Sequence, residues 1–474
     1  TQTLLNLMLK KSFQLNPYVF LLALMVIAFF LRYQSIVDQS YWMDELYSAA
    51  RSMPNKAFFD VYYWGPDPHP PFHYILLWGA YNIFGFSEFV GRGLSVFAGT
   101  LMVPAVYYLG KEIFNRNTGF LAAIAVTFNP VLLYFSIEVR AYEFLSLFSV
   151  LSTYLLIKNS LNPKIIISFL YFASLLILIN LHFFGFLILI AHLFAYIIFQ
   201  FKSSNLKEAK FIILPILLSS LSYIPLLGLA LEIASSGPTW IEPVPIFSFI
   251  QNTFSYFIFG ATFENLNLLN FLLGNILFIY LMLFFIFAFR EVDNYKYMLI
   301  FFIFMFIFIA SIFIGLIINP IFNARNAIGF LPFLIIVLSY GIEVVERKKY
   351  KITAISLLTA LFLAPLFFYE TAPKQEWRQT LLRASELSNK IYVSSWIGQW
   401  DVYRKWLGLN EVVLLPFSDI HSKNISHEER MYVVWAQMKP GEFTNLQNII
   451  NSLSLEDEII FHESGIHIYK KMDH

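Results

Sequence analysis

The 474-residue sequence contains no cysteine, and this one absence removes disulfides, zinc-thiolate centres and thiol nucleophiles together. Charge is also scarce. Lys, Arg, Asp and Glu make up 13% of the chain, about half the roughly 25% of soluble domains, which excludes an ordinary water-soluble globule. Neither sign dominates, since 32 Lys and Arg face 31 Asp and Glu for a formal net charge of +1. Binding nucleic acid requires a basic face that neutralises several phosphates, and these basic residues are scattered through short loops. Internal repeats and low-complexity segments are lacking as well. Apolar residues are abundant: 58% of positions are hydrophobic, with 53 Phe and 27 Tyr, and the mean hydropathy is +0.64. Such a chain has lipid as its main solvent.

A helix crosses a bilayer with about 20 mostly apolar residues. Eleven such runs are found, at about 17–33, 91–110, 118–135, 142–157, 165–181, 184–201, 211–230, 266–289, 297–318, 327–345 and 352–369. Pro71 to Phe86 is apolar but short, and charge asymmetry decides its place. Cytoplasmic loops collect Lys and Arg. Leaving this stretch uncounted puts the basic groups Lys10/Lys11, Lys111/Arg116, Lys158/Lys164, Lys202/Lys207/Lys210, Arg290/Lys296 and Arg347 to Lys351 on one side. Pro71 to Phe86 is therefore read as a helix in the outer interface, following another short helix near Glu45 to Phe59, within one outer loop at 34–90. The first span is long enough to stay in the bilayer rather than act as a cleaved signal.

Eleven crossings from a cytoplasmic N-terminus leave the C-terminus outside. Composition changes at about Glu370, and residues 370–474 alternate helical patterns (Arg378 to Ser388, Trp396 to Trp406, Thr444 to Ser454) with strand-like runs (Lys390 to Ser394, Glu411 to Leu415, Met431 to Ala436). Glu458 to Lys470 reads as a strand pair turning at Glu463-Ser464-Gly465. The expected architecture is a polytopic α-helical membrane protein over residues 1–369, with a small α/β extracytoplasmic domain at 370–474.

Ionisable groups are expensive near a membrane and are paired or functional there. On this topology they gather at one surface. Asp44-Glu45 follows the first span, His69-Pro70-Pro71-Phe72-His73 closes the same loop, and Arg92 begins the second span. Ser136 to Tyr142, with Glu138 and Arg140, fills a short turn, and His182 and Arg325 occupy two others. Vicinal carboxylates beside several cations suit removal of a hydroxyl proton while an anionic phosphate departs. Each residue also has a purely structural use. Asp44 would cap a helix, Arg92 would snorkel to head groups, Glu138 and Arg140 would pair, the histidines would bond at the interface, and Arg325 would fix a helix end. Their joint occurrence favours chemistry.

These segments resemble the GT-C glycosyltransferases, most closely the protein O-mannosyltransferase and lipid A aminoarabinose transferase branch. The likeness rests on Asp44-Glu45 in the first loop, on His69-Pro70-Pro71-Phe72, and on Gly85-Phe86-Ser87-Glu88-Phe89 leading to Arg92. Ser136 to Tyr142 resembles the branch's S-x-E-x-R-x-Y segment, Leu181 to Gly185 its T-H-Y-F-G turn, and Lys374 to Arg378 its K-x-D-W-R segment. The resemblance implies an inverting enzyme that moves a sugar from a polyprenyl-phosphate donor to a hydroxyl of a protein, glycan or lipid outside the cytoplasm; heavy use of Ile, Phe, Asn and Lys suggests an AT-rich bacterial genome, and so a bacterial inner membrane. It implies Asp44 as general base, Glu45 holding acceptor or sugar, and His69, Arg140 and Arg325 neutralising the lipid phosphate. Arg92, Glu138, Tyr142, His182 and His73 would bind substrate or support the site. No cofactor is expected. A divalent ion, as in oligosaccharide-transferring relatives, would fall to Asp44 and Glu138, with Glu264 a third carboxylate. The rival reading is a transporter or lipid flippase, which calls for mid-membrane polar groups and a repeat between halves.

Overall fold

The computed structural model describes residues 16–34, 36, 39–63, 69–203, 208–228, 295–306, 325–356, 374–394, 397–416, 430–436, 453–461 and 464–471, with isolated positions between 253 and 283. The apolar part is helical: α1 (Pro17–Tyr33), α2 (Met43–Arg51), α3 (Phe58–Tyr62), α4 (Phe72–Phe84), α5 (Glu88–Ile113), α6 (Arg116–Phe128), α7 (Pro130–Ser136), α8 (Tyr142–Leu161), α9 (Ile165–Leu181), α10 (Phe184–Ser203), α11 (Lys210–Leu221), α12 (Tyr295–Met305) and α13 (Leu331–Glu343). A 3-10 turn, Asn326–Phe330, leads into α13.

Local chemistry sets the helix starts. Ser87 accepts from the Val90 amide at 3.2 Å to open α5, and Asn115 accepts from Thr118 at 2.9 Å to open α6. Asn129 divides the expected third span: its Oδ1 accepts from Val131 and Leu132, Pro130 takes the first helical position, and α6 and α7 meet at a 58° bend. α5, α8 and the continuous helix Asn326–Glu343 are long and apolar enough to cross a membrane, and the bent pair makes a fourth. α1, α9, α10 and α11 are shorter apolar helices. The expected crossings at 266–289, at 297–318 beyond residue 306 and at 352–369 beyond residue 356 lie outside the described residues, apart from isolated helical positions in the first.

The expected helix from Glu45 to Phe59 is corrected to two, α2 and α3, broken at residues 52–57. Arg51 closes the break by donating to the carbonyls of Val61 at 3.0 Å and Tyr62 at 3.3 Å. Pro71 to Phe86 does hold a helix, α4, which ends at Gly85 with φ of +86°, a conformation glycine adopts without Cβ strain.

Beyond Lys374 the chain forms α14 (Trp377–Leu387), β1 (Lys390–Val393), α15 (Ile397–Trp406), β2 (Val413–Pro416), β3 (Arg430–Ala436), β4 (Leu453–Phe461) and β5 (Ser464–Lys471). The sheet order is β2-β1-β3-β5-β4, with β1 parallel to β2 and β3, and β5 antiparallel to β3 and β4. Ser454, expected at the end of a helix, lies in β4, where it pairs with Lys470; most of that expected helix, the proposed Glu463 turn and Trp396 lie outside the described residues. Trp377 and Trp400 are fully buried, their rings 4.4 Å apart. They belong to a core that also takes Tyr41 and Leu46 from the first loop, Leu77 and Tyr81 from α4, and Val139. The C-terminal layer and the segment holding Asp44 thus share one hydrophobic interior, separate from the larger core among the apolar helices.

Candidate active site

α2 begins at Trp42, whose indole offers no hydrogen-bond acceptor, so the first amides of the helix find partners elsewhere. The Trp42 amide donates to Glu45 Oε2 at 3.2 Å, and the Met43 amide donates to Gln375 Oε1 at 3.2 Å. Asp44 and Glu45 stand side by side in this turn and point to different surroundings, because successive residues project about 100° apart on a helix.

Glu45 is fully buried. Its carboxylate receives Arg92 Nε and Nη2 at 2.9 and 2.7 Å, the Val139 amide at 3.1 Å, the Trp42 amide, and Lys374 Nζ at 3.2 Å. Burial opposes the charge, but Arg92 and then Lys374 outweigh it and hold the carboxyl down at about 2. No acceptor capacity is left for a substrate. The expectation that Glu45 grips acceptor or sugar is therefore corrected, and the group is a hub. Arg92 is equally committed. Its remaining donors reach the carbonyls of Ile36, Gln39 and Ser40 at 3.0, 2.7 and 3.0 Å, so all five N–H groups are used inside the protein. It does not snorkel.

The hub fixes the turn after α7. Glu45 holds the Val139 amide, Ser95 donates to the Glu138 carbonyl at 2.6 Å, and Lys374 lies 3.4 Å from the Ile137 carbonyl. Glu138 is fully buried, 3.9 Å from Lys374, and its burial raises its pKa. Arg140, the next residue but one, is thereby aimed at α2. Its Nη1 donates to the Asp44 carbonyl at 3.3 Å and to Ser48 Oγ at 3.4 Å, and its Nη2 lies 3.3 Å from His69 Nε2.

Asp44 is the open member of the pair. Its side chain is about one third exposed, and Oδ2 meets Arg325 Nη1 at 3.1 Å. Arg325 also lies 5.7 Å from the Trp42 ring centre. One carboxylate and two guanidiniums from three distant parts of the sequence thus meet at one open turn.

The histidines surround this point without adding charge. Guanidinium only donates, so His69 Nε2 accepts from Arg140 and the ring is neutral in this arrangement; its expected role as a cation is corrected to that of a partner for Arg140. Burial first, and then the Arg140 guanidinium, push His73 down to about 3. His182 is pushed well below its ordinary value by burial first, and its Nδ1 accepts the Phe184 amide at 3.2 Å. Tyr142 packs beside them, its ring 5.9 Å from His182 and 5.9 Å from the Arg140 guanidinium. Ser48, His69, His73, Tyr74, Arg140 and Ala141 line a narrow recess next to Asp44. Sequence reasoning missed Ser48, Lys374 and Gln375 as site residues; the one available signal was the K-x-x-x-R spacing of Lys374 and Arg378.

Residues 68–227 match the family described as dolichyl-phosphate-mannose-protein mannosyltransferase, a segment that holds His69, Arg92, Glu138, Arg140, Tyr142 and His182. The fold matches ArnT from Cupriavidus metallidurans in its apo state, with a TM-score of 0.62 at 10% identity over 95% of this chain and 97% of that one. The family match spans about a third of the chain, and the fold as a whole is similar to that of these membrane transferases. The same ArnT bound to undecaprenyl phosphate matches with a TM-score of 0.59 at 11% identity, covering 96% of this chain and 98% of that one. The Archaeoglobus fulgidus oligosaccharyltransferase complex with Zn and sulfate gives 0.57 at 15%, covering 90% and 69%. A search of curated protein sequences finds no significant match.

The presence of zinc in that oligosaccharyltransferase raises the question of a metal here. Among the described residues no three His, Asp or Glu side chains gather closely enough to hold one. The Asp44 and Glu138 pair is a poor fit, since Asp44 faces Arg325 and Glu138 is enclosed beside Lys374. Glu264 lies outside the described residues.

Proposed function

We propose that this GT-C enzyme moves a sugar, with inversion, from a polyprenyl-phosphate donor to an acceptor hydroxyl at the extracytoplasmic face of a bacterial inner membrane. Its N-terminus would be cytoplasmic and its 370–474 layer outside, with catalysis carried by residues 1–369. Asp44 takes the proton of the acceptor hydroxyl as that oxygen bonds to the anomeric carbon. The bond to the phosphate oxygen breaks, its electron pair leaving with the phosphate, which gains a negative charge. Arg140 and Arg325 balance that charge, so no general acid is required. The observation that carries the reading is the meeting of Asp44 with Arg325 while Arg140 is pinned to the same turn.

The Asp44 to Arg325 pair is more than a third exposed on one side, so solvent limits it to about 1 kcal/mol at most. An arriving phosphate can draw Arg325 away and free the base. Support for a lipid-phosphate donor comes from ArnT bound to undecaprenyl phosphate and from the archaeal oligosaccharyltransferase AglB in complex with an inhibitory peptide and a dolichol-phosphate. The transporter reading is not favoured, given the family and fold.

The test is Asp44→Asn, which keeps shape and removes the base. Expression, folding and undecaprenyl-phosphate binding are expected to persist. Glycan formation in cells lacking the native gene is expected to fall by about 10²–10⁴-fold, the usual worth of a positioned base. Full glycan restoration by this variant would refute the assignment.

A further inference from the structure

The catalytic turn is not completed by the apolar helices. Two of its orphan amides have been accounted for, and the partner of Met43 comes from the beginning of the C-terminal layer, 332 residues later. Gln375 Oε1 also accepts from the Trp377 indole at 2.9 Å, which anchors it to the buried Trp377 and Trp400 pair. Its backbone carbonyl receives Ser40 Oγ at 2.6 Å. Next to it Lys374 links Glu45 to Glu138. Further along, Arg378 and Tyr403 both bind Glu88 at the start of α5, and the Tyr403 hydroxyl receives the Tyr41 amide. A continuous polar seam therefore joins the C-terminal layer to residues 40–45 and 137–140, the two segments that aim Asp44 and Arg140.

We infer that Lys374 and Gln375 are positioning residues for the transfer reaction: Gln375 caps the helix that presents Asp44, and Lys374 holds the Glu45 hub against the Arg140 turn. The inference rests on Asp44 being the base, but its main readout does not. Without an acceptor at Gln375, the buried Trp377 indole and the half-buried Met43 amide lose their partner, and the first turn of α2 frays while the apolar helices stay intact.

The test compares Gln375→Leu, which keeps volume and removes the acceptor, with Gln375→Glu, which keeps an accepting oxygen. In the full chain in detergent, hydrogen exchange of a peptide spanning residues 41–51 is expected to quicken at least tenfold in Gln375→Leu, equivalent to about 1.4 kcal/mol. Peptides from α8 and α9 are expected to exchange at the wild-type rate, and undecaprenyl phosphate, the probe used, to bind within about threefold of wild type. Glycan formation in cells is expected to fall at least tenfold, with most of it regained in Gln375→Glu. Unchanged exchange at residues 41–51, full glycan formation in Gln375→Leu, or equal loss in both variants would overturn the inference. If Gln375→Leu does not accumulate, Ser40→Ala, which releases the Gln375 carbonyl, carries the same test with an expected threefold change. An active Asp44→Asn enzyme together with faster exchange in Gln375→Leu would reject Asp44 as the base and leave the capping contact standing.

Discussion

Glu45→Gln is the sharpest probe of how the site is held. Glu45, Arg92, Lys374 and Glu138 are each less than a tenth exposed, and with both carboxylates ionised their charges cancel. Neutralising Glu45 leaves two buried cations facing one buried anion. It also turns an amide N–H₂ toward Arg92 or Lys374, donor against donor. Breaking a buried pair by removing one partner costs about 3–5 kcal/mol, which for a cooperative unit of 150–250 residues lowers the melting temperature by about 6–20 °C. The double variant Glu45→Gln/Arg92→Met restores neutrality. The two effects are therefore expected to be less than additive, by about 1–3 kcal/mol. Thermal unfolding of Glu45→Gln, Arg92→Met and the double variant in one detergent measures this directly. A Glu45→Gln protein melting within 1 °C of wild type, or strict additivity in the double variant, would refute the hub.

Acid is expected to act through the same carboxyl. With its pKa near 2 in the folded chain against an ordinary 4.5, Glu45 contributes about 3 kcal/mol that is fully present above pH 4.5 and is lost as pH falls toward 2; melting curves across that window should show the loss, and Glu45→Gln should flatten it. Arg140→Gln removes a charged donor beside Asp44, and undecaprenyl-phosphate binding by calorimetry is expected to weaken about 10–100-fold, with a shallower salt dependence. Gly99→Ala would put a methyl 2.3 Å from Ser136 Oγ and 2.6 Å from Arg32 Nε. Overpacking of this kind costs about 1–3 kcal/mol, so the yield of folded protein should drop, whereas Gly93→Ala, with nothing within 4 Å, should be neutral.

Hydropathy made the long helices legible because lipid tolerates little else. It did not reveal the bend at Asn129, where a polar side chain caps α7 inside an otherwise apolar run. The first loop was legible as helical but not as broken, since the break depends on Arg51 reaching Val61 and Tyr62. Asp44 and Glu45 look equivalent in sequence, yet one faces solvent and Arg325 while the other is sealed by five donors. Only the placement of Arg92, Val139 and Lys374 distinguishes them. His69 looked like a cation until its partner was seen to be a guanidinium. Ser454 misled for a simpler reason: a helical apolar spacing over Thr444 to Ser454 runs into a strand fixed by pairing with β5, and such pairing overrides local pattern.

The span of 332 residues between Met43 and its partner Gln375 has a meaning for biogenesis. At about 5–20 residues per second of synthesis, the helix bearing Asp44 waits roughly 17–66 s on the translocating ribosome before its capping group is made. Through that interval the Met43 amide has no acceptor from Gln375, and the first turn of α2 is completed only when the segment around Gln375 docks.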